Sequence, residues 1–191
     1  MTMQAVHLTL PLFLALCISS IQAKADAKTD TEGRASTVFF SLNLGPSAGW
    51  ISHPEIKKNG QLGLEYDAAF GLGLTRRWAI GFELSTWSPP NIDGNPSHLH
   101  LFAPRVEYTV GEKDGLVLAA AAGLALADGS AVKSLGFGIM SQMGYRVPLS
   151  KLITLAPQFG THVAIHEDGG YALAPFAAVE LRFWGHTGLR L

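Results

Sequence analysis

Cysteine is all but missing. Of 191 residues only Cys17 is one, and it lies in an N-terminal apolar block. A chain cut after that block carries no thiol, which excludes disulfide bracing and thiol catalysis from the mature protein. Charge is scarce too: Asp, Glu, Lys and Arg make up 15% of the chain, and the formal net charge is −1. Without a basic surplus there is no electrostatic attraction for nucleic acid. Long apolar runs are absent after residue 25, and a helical membrane span needs roughly 18 consecutive apolar residues. Any membrane crossing by the rest of the chain is therefore by strands.

What is present is alternation. From Gln61 to Thr75 the even positions are Leu62, Leu64, Tyr66, Ala68, Phe70, Leu72 and Leu74, while the odd ones include Gln61, Gly63, Glu65, Asp67, Gly71 and Gly73. Period two is the pattern of a strand with two unlike faces. A soluble strand has about 5–6 residues and a tilted membrane-crossing strand about 9–11; this run suits the second.

The same alternation predicts eight strands, over 38–45, 61–75, 78–88, 98–110, 116–126, 135–147, 153–165 and 171–183. Pro104, inside the fourth, predicts a bulge or the local loss of a ladder hydrogen bond, and Pro157 and Pro175, inside the seventh and eighth, predict β-bulges. The connectors after odd strands include the long stretches 46–60 and 89–97, whereas those after even strands, such as Arg76-Arg77, are short. The fold class read from this is all-β, an eight-stranded antiparallel up-and-down transmembrane barrel.

Ahead of it, Leu8 to Ile18 is apolar, and Ala23 and Ala25 flank a cleavage point before Asp26. Residues 1–25 thus read as a signal peptide. Leu16 before Cys17 suits an acylation site poorly. Residues 26–36 are polar and aperiodic and read as a disordered periplasmic leader, leaving 37–191 as the barrel.

Signal peptide, eight amphipathic segments, alternating connectors and a glycine-rich inward face together resemble the small eight-stranded outer-membrane β-barrels of Gram-negative bacteria. The resemblance covers residues 37–184 and is architectural, with Leu181-Arg182-Phe183-Trp184 similar to the aromatic ending of such barrels and seven residues following it. It implies a monomer in the outer membrane with lipids as its surroundings, delivered by periplasmic chaperones and inserted by the barrel-assembly machinery. The architecture hosts structural proteins, adhesion-related proteins, narrow channels and lipid A-modifying enzymes, so it fixes no single role.

Two sets of residues follow from the parities. Trp78, Tyr108, Tyr145 and Phe183 share the outward parity at the periplasmic strand ends, where an aromatic girdle belongs. Glu65, Asp67, Glu83, Arg105, Glu107, Arg146, His162, Glu180 and Arg182 share the inward parity. In so narrow a barrel they must pair with one another or with water, closing the lumen ionically.

No catalytic residues are read. Acyl hydrolysis on a lipid-facing strand would use a His-x-Ser pair, and none is present; outward Ser141 has no histidine nearby. His98 and His100, two apart, are too few for a metal site, and no cofactor motif occurs. Leu99 and Leu101 fall on the inward parity near Trp50 and Ile51 of the first connector. They read either as a hydrophobic vestibule or as a register slip at Pro104, the slip being favoured because one bulge exchanges the faces. The leading reading is a non-enzymatic structural or surface protein. A narrow channel for small or hydrophobic solutes, and a soluble secreted calycin-like barrel, are the alternatives.

Overall fold

The structure, a computed structural model, describes residues 35–52, 57–75, 77–89, 97–111, 115–129 and 133–190. The signal segment 1–25, most of the leader and the tips of several connectors lie outside the described residues.

Eight strands account for nearly all of the description: β1 (Ala35–Ser52), β2 (Lys57–Gly73), β3 (Trp78–Ser88), β4 (Ser97–Gly111), β5 (Gly115–Gly129), β6 (Lys133–Pro148), β7 (Ile153–His166) and β8 (Tyr171–Arg190). Each pairs antiparallel with its neighbours in sequence, and β8 pairs with β1 to close the barrel. The parities assign the faces on every strand. Ser41, Asn43, Glu65, Glu83, Leu99, Ala121, Gln142, His162 and Glu180 are buried, while Leu44, Leu62, Phe70, Phe137, Phe159 and Ile165 are exposed. No charged residue points outward between Arg77 near one end and the Asp128–Lys133 ion pair at the other, among the described residues.

Exposure of 72% at Leu62 and 66% at Phe159 on a folded surface makes sense only against lipid. That surface is the reverse of a soluble calycin, whose apolar side chains line the interior. The soluble alternative therefore falls.

Three sequence expectations are corrected. First, the strands begin and end elsewhere at several points. β1 starts at Ala35, inside the assigned leader, and of the two ends the sequence leaves open for the last strand, Phe183 or the chain's last residues, β8 takes the longer course, to Arg190. β1 and β2 together absorb most of the assigned first connector, leaving 53–56 between them, so the long-short alternation survives only at 89–96. Residues 46–52 pair with 57–64, and this stretch of the first connector, rich in Gly, Pro, Ser and Lys, has little hydrophobic alternation to announce it.

Second, Pro157 and Pro175 carry no bulges, and of the two readings of Pro104 the structure takes the local gap in the ladder. The β3–β4 register runs unbroken from Trp78↔Tyr108 to Trp87↔Leu99, through Phe82↔Pro104. On the other side of β4 the pairing skips from Phe102↔Leu124 to Arg105↔Ala121 and resumes in the same register. A proline removes one ladder donor but adds no residue, so parity is kept. The register shifts lie elsewhere, between Gly49 and Ile51 and between Ala35 and Thr37.

Third, it follows that Leu99 and Leu101 face inward without any slip, 1% and 3% exposed. The favoured register explanation is wrong, and the apolar external half of the lumen is real.

Candidate functional site

The lumen is filled in layers. At the end that holds both sheet termini, Phe39 of β1 and Trp184 of β8 pack at 5.8 Å between ring centroids. The Arg182 guanidinium lies 4.3 Å from the Phe39 ring centre, and that of Arg146 lies 5.3 Å from the Trp184 ring. Both separations fall within cation–π range, so the aromatics cap the guanidiniums and hold water away.

Above this cap is an ionic layer built from β3, β4, β6 and β8. Arg182 donates to both carboxylate oxygens of Glu107, at 2.7 and 2.6 Å, and to Glu180 at 2.9 Å. Arg146 donates to Glu107 at 2.7 Å, and Arg105 donates to Glu107 at 3.2 Å and to Glu83 at 3.0 Å. Glu107 therefore faces three guanidiniums, and Arg105 reaches three carboxylates, the third being Glu180 at 3.6 Å. Planar forked donors suit this shared geometry.

Polar amides extend the layer. Gln142 donates to Glu83 at 3.3 Å and accepts from Asn43 at 3.4 Å, and Asn43 also donates to Gln158 at 3.1 Å. Of the nine inward charged or titratable residues predicted, the structure gathers Glu83, Arg105, Glu107, Arg146, Glu180 and Arg182 into this one network. Asp67 is buried beside it, and both of its carboxylate oxygens lack a hydrogen-bond donor.

Glu65 and His162 form a separate group with Ser85, which the sequence reading left out of the lumen set. The Ser85 hydroxyl donates to Glu65 at 2.5 Å, and His162 Nε2 sits 2.9 Å from the same hydroxyl oxygen. Serine, histidine and a carboxylate in contact invite comparison with a hydrolytic triad, and the wiring is wrong for one. A triad needs the imidazole as acceptor from serine and the acid on its far nitrogen. Here the serine proton is committed to the carboxylate, and His162 Nδ1 has no partner.

The half of the lumen away from the aromatic cap is largely apolar and surrounds the Glu65–Ser85–His162 group. Leu101, Met140 and Phe176 pack with Ala103, Ala121 and Ala178, and beyond them Trp87, Leu99 and Ile51 pack with Ala125, Ala164, Ala172 and Ala174. The Trp87 indole lies against β1 and β2: a Cβ on Gly63 would stand 2.8 Å from its Nε1, and one on Gly49 would overlap the ring. Trp87, Phe39 and Asn43 are legible as inward by parity, while Trp184 lies past the eighth predicted strand, and nothing in the sequence marks any of them as contacts of the charged set.

On the outside, Trp78 and Tyr108 stack at 4.7 Å, and Tyr145 is exposed and Phe183 half-buried toward the same end. His98 and His100 point outward at the opposite rim, with ring centroids 5.8 Å apart and His100 Nδ1 3.0 Å from Thr86 Oγ1. No group of three metal-ligating side chains forms among the described residues.

No protein-family model matches the chain, and no curated protein matches it. Among solved structures, it is similar to Neisserial surface protein A at 10% identity and TM-score 0.53, over 75% of this chain and 96% of that one. It is also similar to Ail, the attachment invasion locus protein of Yersinia pestis, at 7% identity and TM-score 0.51, over 78% and 99% of the two chains. Identity this low speaks to fold. The chain is a transmembrane β-barrel with the fold of the small eight-stranded outer-membrane proteins.

Proposed function

We propose that the chain is an integral protein of the Gram-negative outer membrane with a structural or surface role, its lumen sealed against solutes. The observation that carries this is the stack of unlike layers: aromatic cap, ionic network and two apolar clusters, each drawn from several strands. An ion meets mostly apolar side chains from outside and ion-paired guanidiniums from the periplasm. The uncharged exterior suits a lipid annulus, and Trp78, Tyr108, Tyr145 and Phe183 take the periplasmic interface. It reaches the membrane with periplasmic chaperones and the barrel-assembly machinery, and acts as a monomer. No enzymatic step is assigned.

Fractionation, with gel mobility of boiled and unboiled samples, tests the location. Recovery from the outer membrane with a heat-dependent band supports it, and a soluble periplasmic protein without such a shift sinks it. Planar-bilayer recording tests the seal, and a resolved conductance in the wild type would overturn it. One observation favours a second reading, a conduit for small hydrophobic solutes: the external half is lined by Leu99, Leu101, Trp87 and Ile51. That reading requires faster uptake of an apolar solute into vesicles carrying the wild type.

A further inference from the structure

The lumen holds more negative than positive groups. Among the described residues the buried carboxylates are Glu65, Asp67, Glu83, Glu107 and Glu180, against the guanidiniums of Arg105, Arg146 and Arg182. The ion pairs of all three guanidiniums go to Glu83, Glu107 and Glu180. Asp67 is left with Glu83, Glu65, Glu180 and Arg105 as its charged surroundings and no donor on either oxygen. A buried, uncompensated carboxylate is costly unless something neutralises it.

Hydrogen-bond direction sharpens the point. Ionised Glu83 accepts only, so Gln142 must turn its amide nitrogen to it and its oxygen to Asn43. Asn43 must then spend its nitrogen on Gln142 and Gln158. Its own oxygen, Oδ1, is left without a donor. Asn43 and Asp67 are direct cross-strand partners, an arrangement that places inward side chains about 4.5–5.5 Å apart at Cβ. Ser41 Oγ, Glu65 Oε2 and Glu83 Oε2, on the same three adjacent strands, also lack partners. Around Asn43 and Asp67 the wall made by β1, β2 and β3 thus presents mostly acceptor oxygens; its unpartnered donors are the Ser41 and Ser47 hydroxyls and the Trp87 indole N–H.

We infer that this wall holds a monovalent metal cation of the sodium class, bound through Asn43 Oδ1 and the Asp67 carboxylate with water completing its shell. Oxygen-only donors suit a hard cation. A proton on Asp67 would make one of its oxygens a donor to a single neighbour, whereas a cation gathers several oxygens at once. Since no three carboxylate or imidazole groups converge as a cage among the described residues, a divalent ion with an all-protein shell does not fit. The site stands whether or not the lumen conducts.

The test uses the folded protein in lipid vesicles at fixed ionic strength, with sodium chloride replaced stepwise by choline chloride. The readout is the temperature at which the heat-dependent gel band converts. The wild-type midpoint should rise by about 3–6 °C per tenfold increase in sodium once the site begins to fill. Asp67→Asn should abolish that dependence and exceed the wild type in choline. A wild type that behaves alike in sodium and choline overturns the inference and leaves protons or water as the compensation. Should Asp67→Asn not fold, the sodium NMR line width decides: broadening by the wild type that Asn43→Ala removes supports the site, and equal broadening by both overturns it.

Discussion

Arg182 and Glu107 meet across the lumen through two parallel hydrogen bonds of 2.7 and 2.6 Å, joining β8 to β4 from opposite sides of the barrel. Because Glu107 also accepts from Arg146 and Arg105, its removal strands buried positive charge. Glu107→Gln is expected to cost about 3–5 kcal/mol, the usual penalty for breaking a buried pair from one side. Urea titration of folding into vesicles measures this, and a loss below about 1 kcal/mol would show that water, not Glu107, compensates the guanidiniums.

The lipid-facing side has its own probe. Leu72 is exposed, outward, and sits in the uncharged belt. Leu72→Arg should destabilise by up to about 2–4 kcal/mol, depending on its depth in the bilayer, while Leu72→Ala should fold in lipid with a much smaller loss. Equal behaviour of the two in the same titration would mean that this face does not meet the membrane.

Gly71, the lumen-side neighbour of Leu72, looks from parity alone like a tolerant place for Gly71→Ser. The structure reverses that expectation. A Cβ there would overlap the Ile80 carbonyl oxygen and stand 2.6 Å from the Gly81 Cα and 2.7 Å from the Phe39 ring. Both backbone neighbours belong to β3, so strand separation rather than a side-chain rotation has to relieve the clash. Gly71→Ser is expected to lower the yield of the heat-dependent folded band, and wild-type yield would contradict the close approach.

Trp87 and Arg105 probe the two halves of the seal separately. Trp87→Ala removes the largest side chain of the external apolar cluster, and Arg105→Ala breaks the bridge among Glu83, Glu107 and Glu180. Each single variant should stay electrically silent in planar bilayers, since the other layer remains. The double variant should show openings, and a single variant that conducts would locate the seal in one layer only.

The faces of all eight strands were legible because burial in a thin wall imposes a strict period of two, and even Pro104 could not disturb it. At Pro104 a lost donor and an inserted residue look alike in sequence, and only the second would have turned Leu99 and Leu101 outward. The edges of β1 and β2 were hidden because their outer parts carry no hydrophobic alternation. Which charges meet was beyond reach: Glu107 and Arg182 lie 75 residues apart, and their meeting depends on the stagger between strands, which parity does not encode. Asn43 and Ser85 looked like ordinary small polar residues of an inner face until their partners fixed which way each hydrogen bond ran.

The pairing of β1 with β8 has a bearing on how the protein meets other chains. A sheet that returns to its own beginning offers no free row of backbone donors and acceptors within the paired region, so recruitment by strand addition has nowhere to start there. The two outermost strands also come from opposite ends of the sheet-forming sequence, so closure must wait until both have arrived. Until then the unpaired margins of β1 and β8 are the stretch of backbone most in need of a temporary companion.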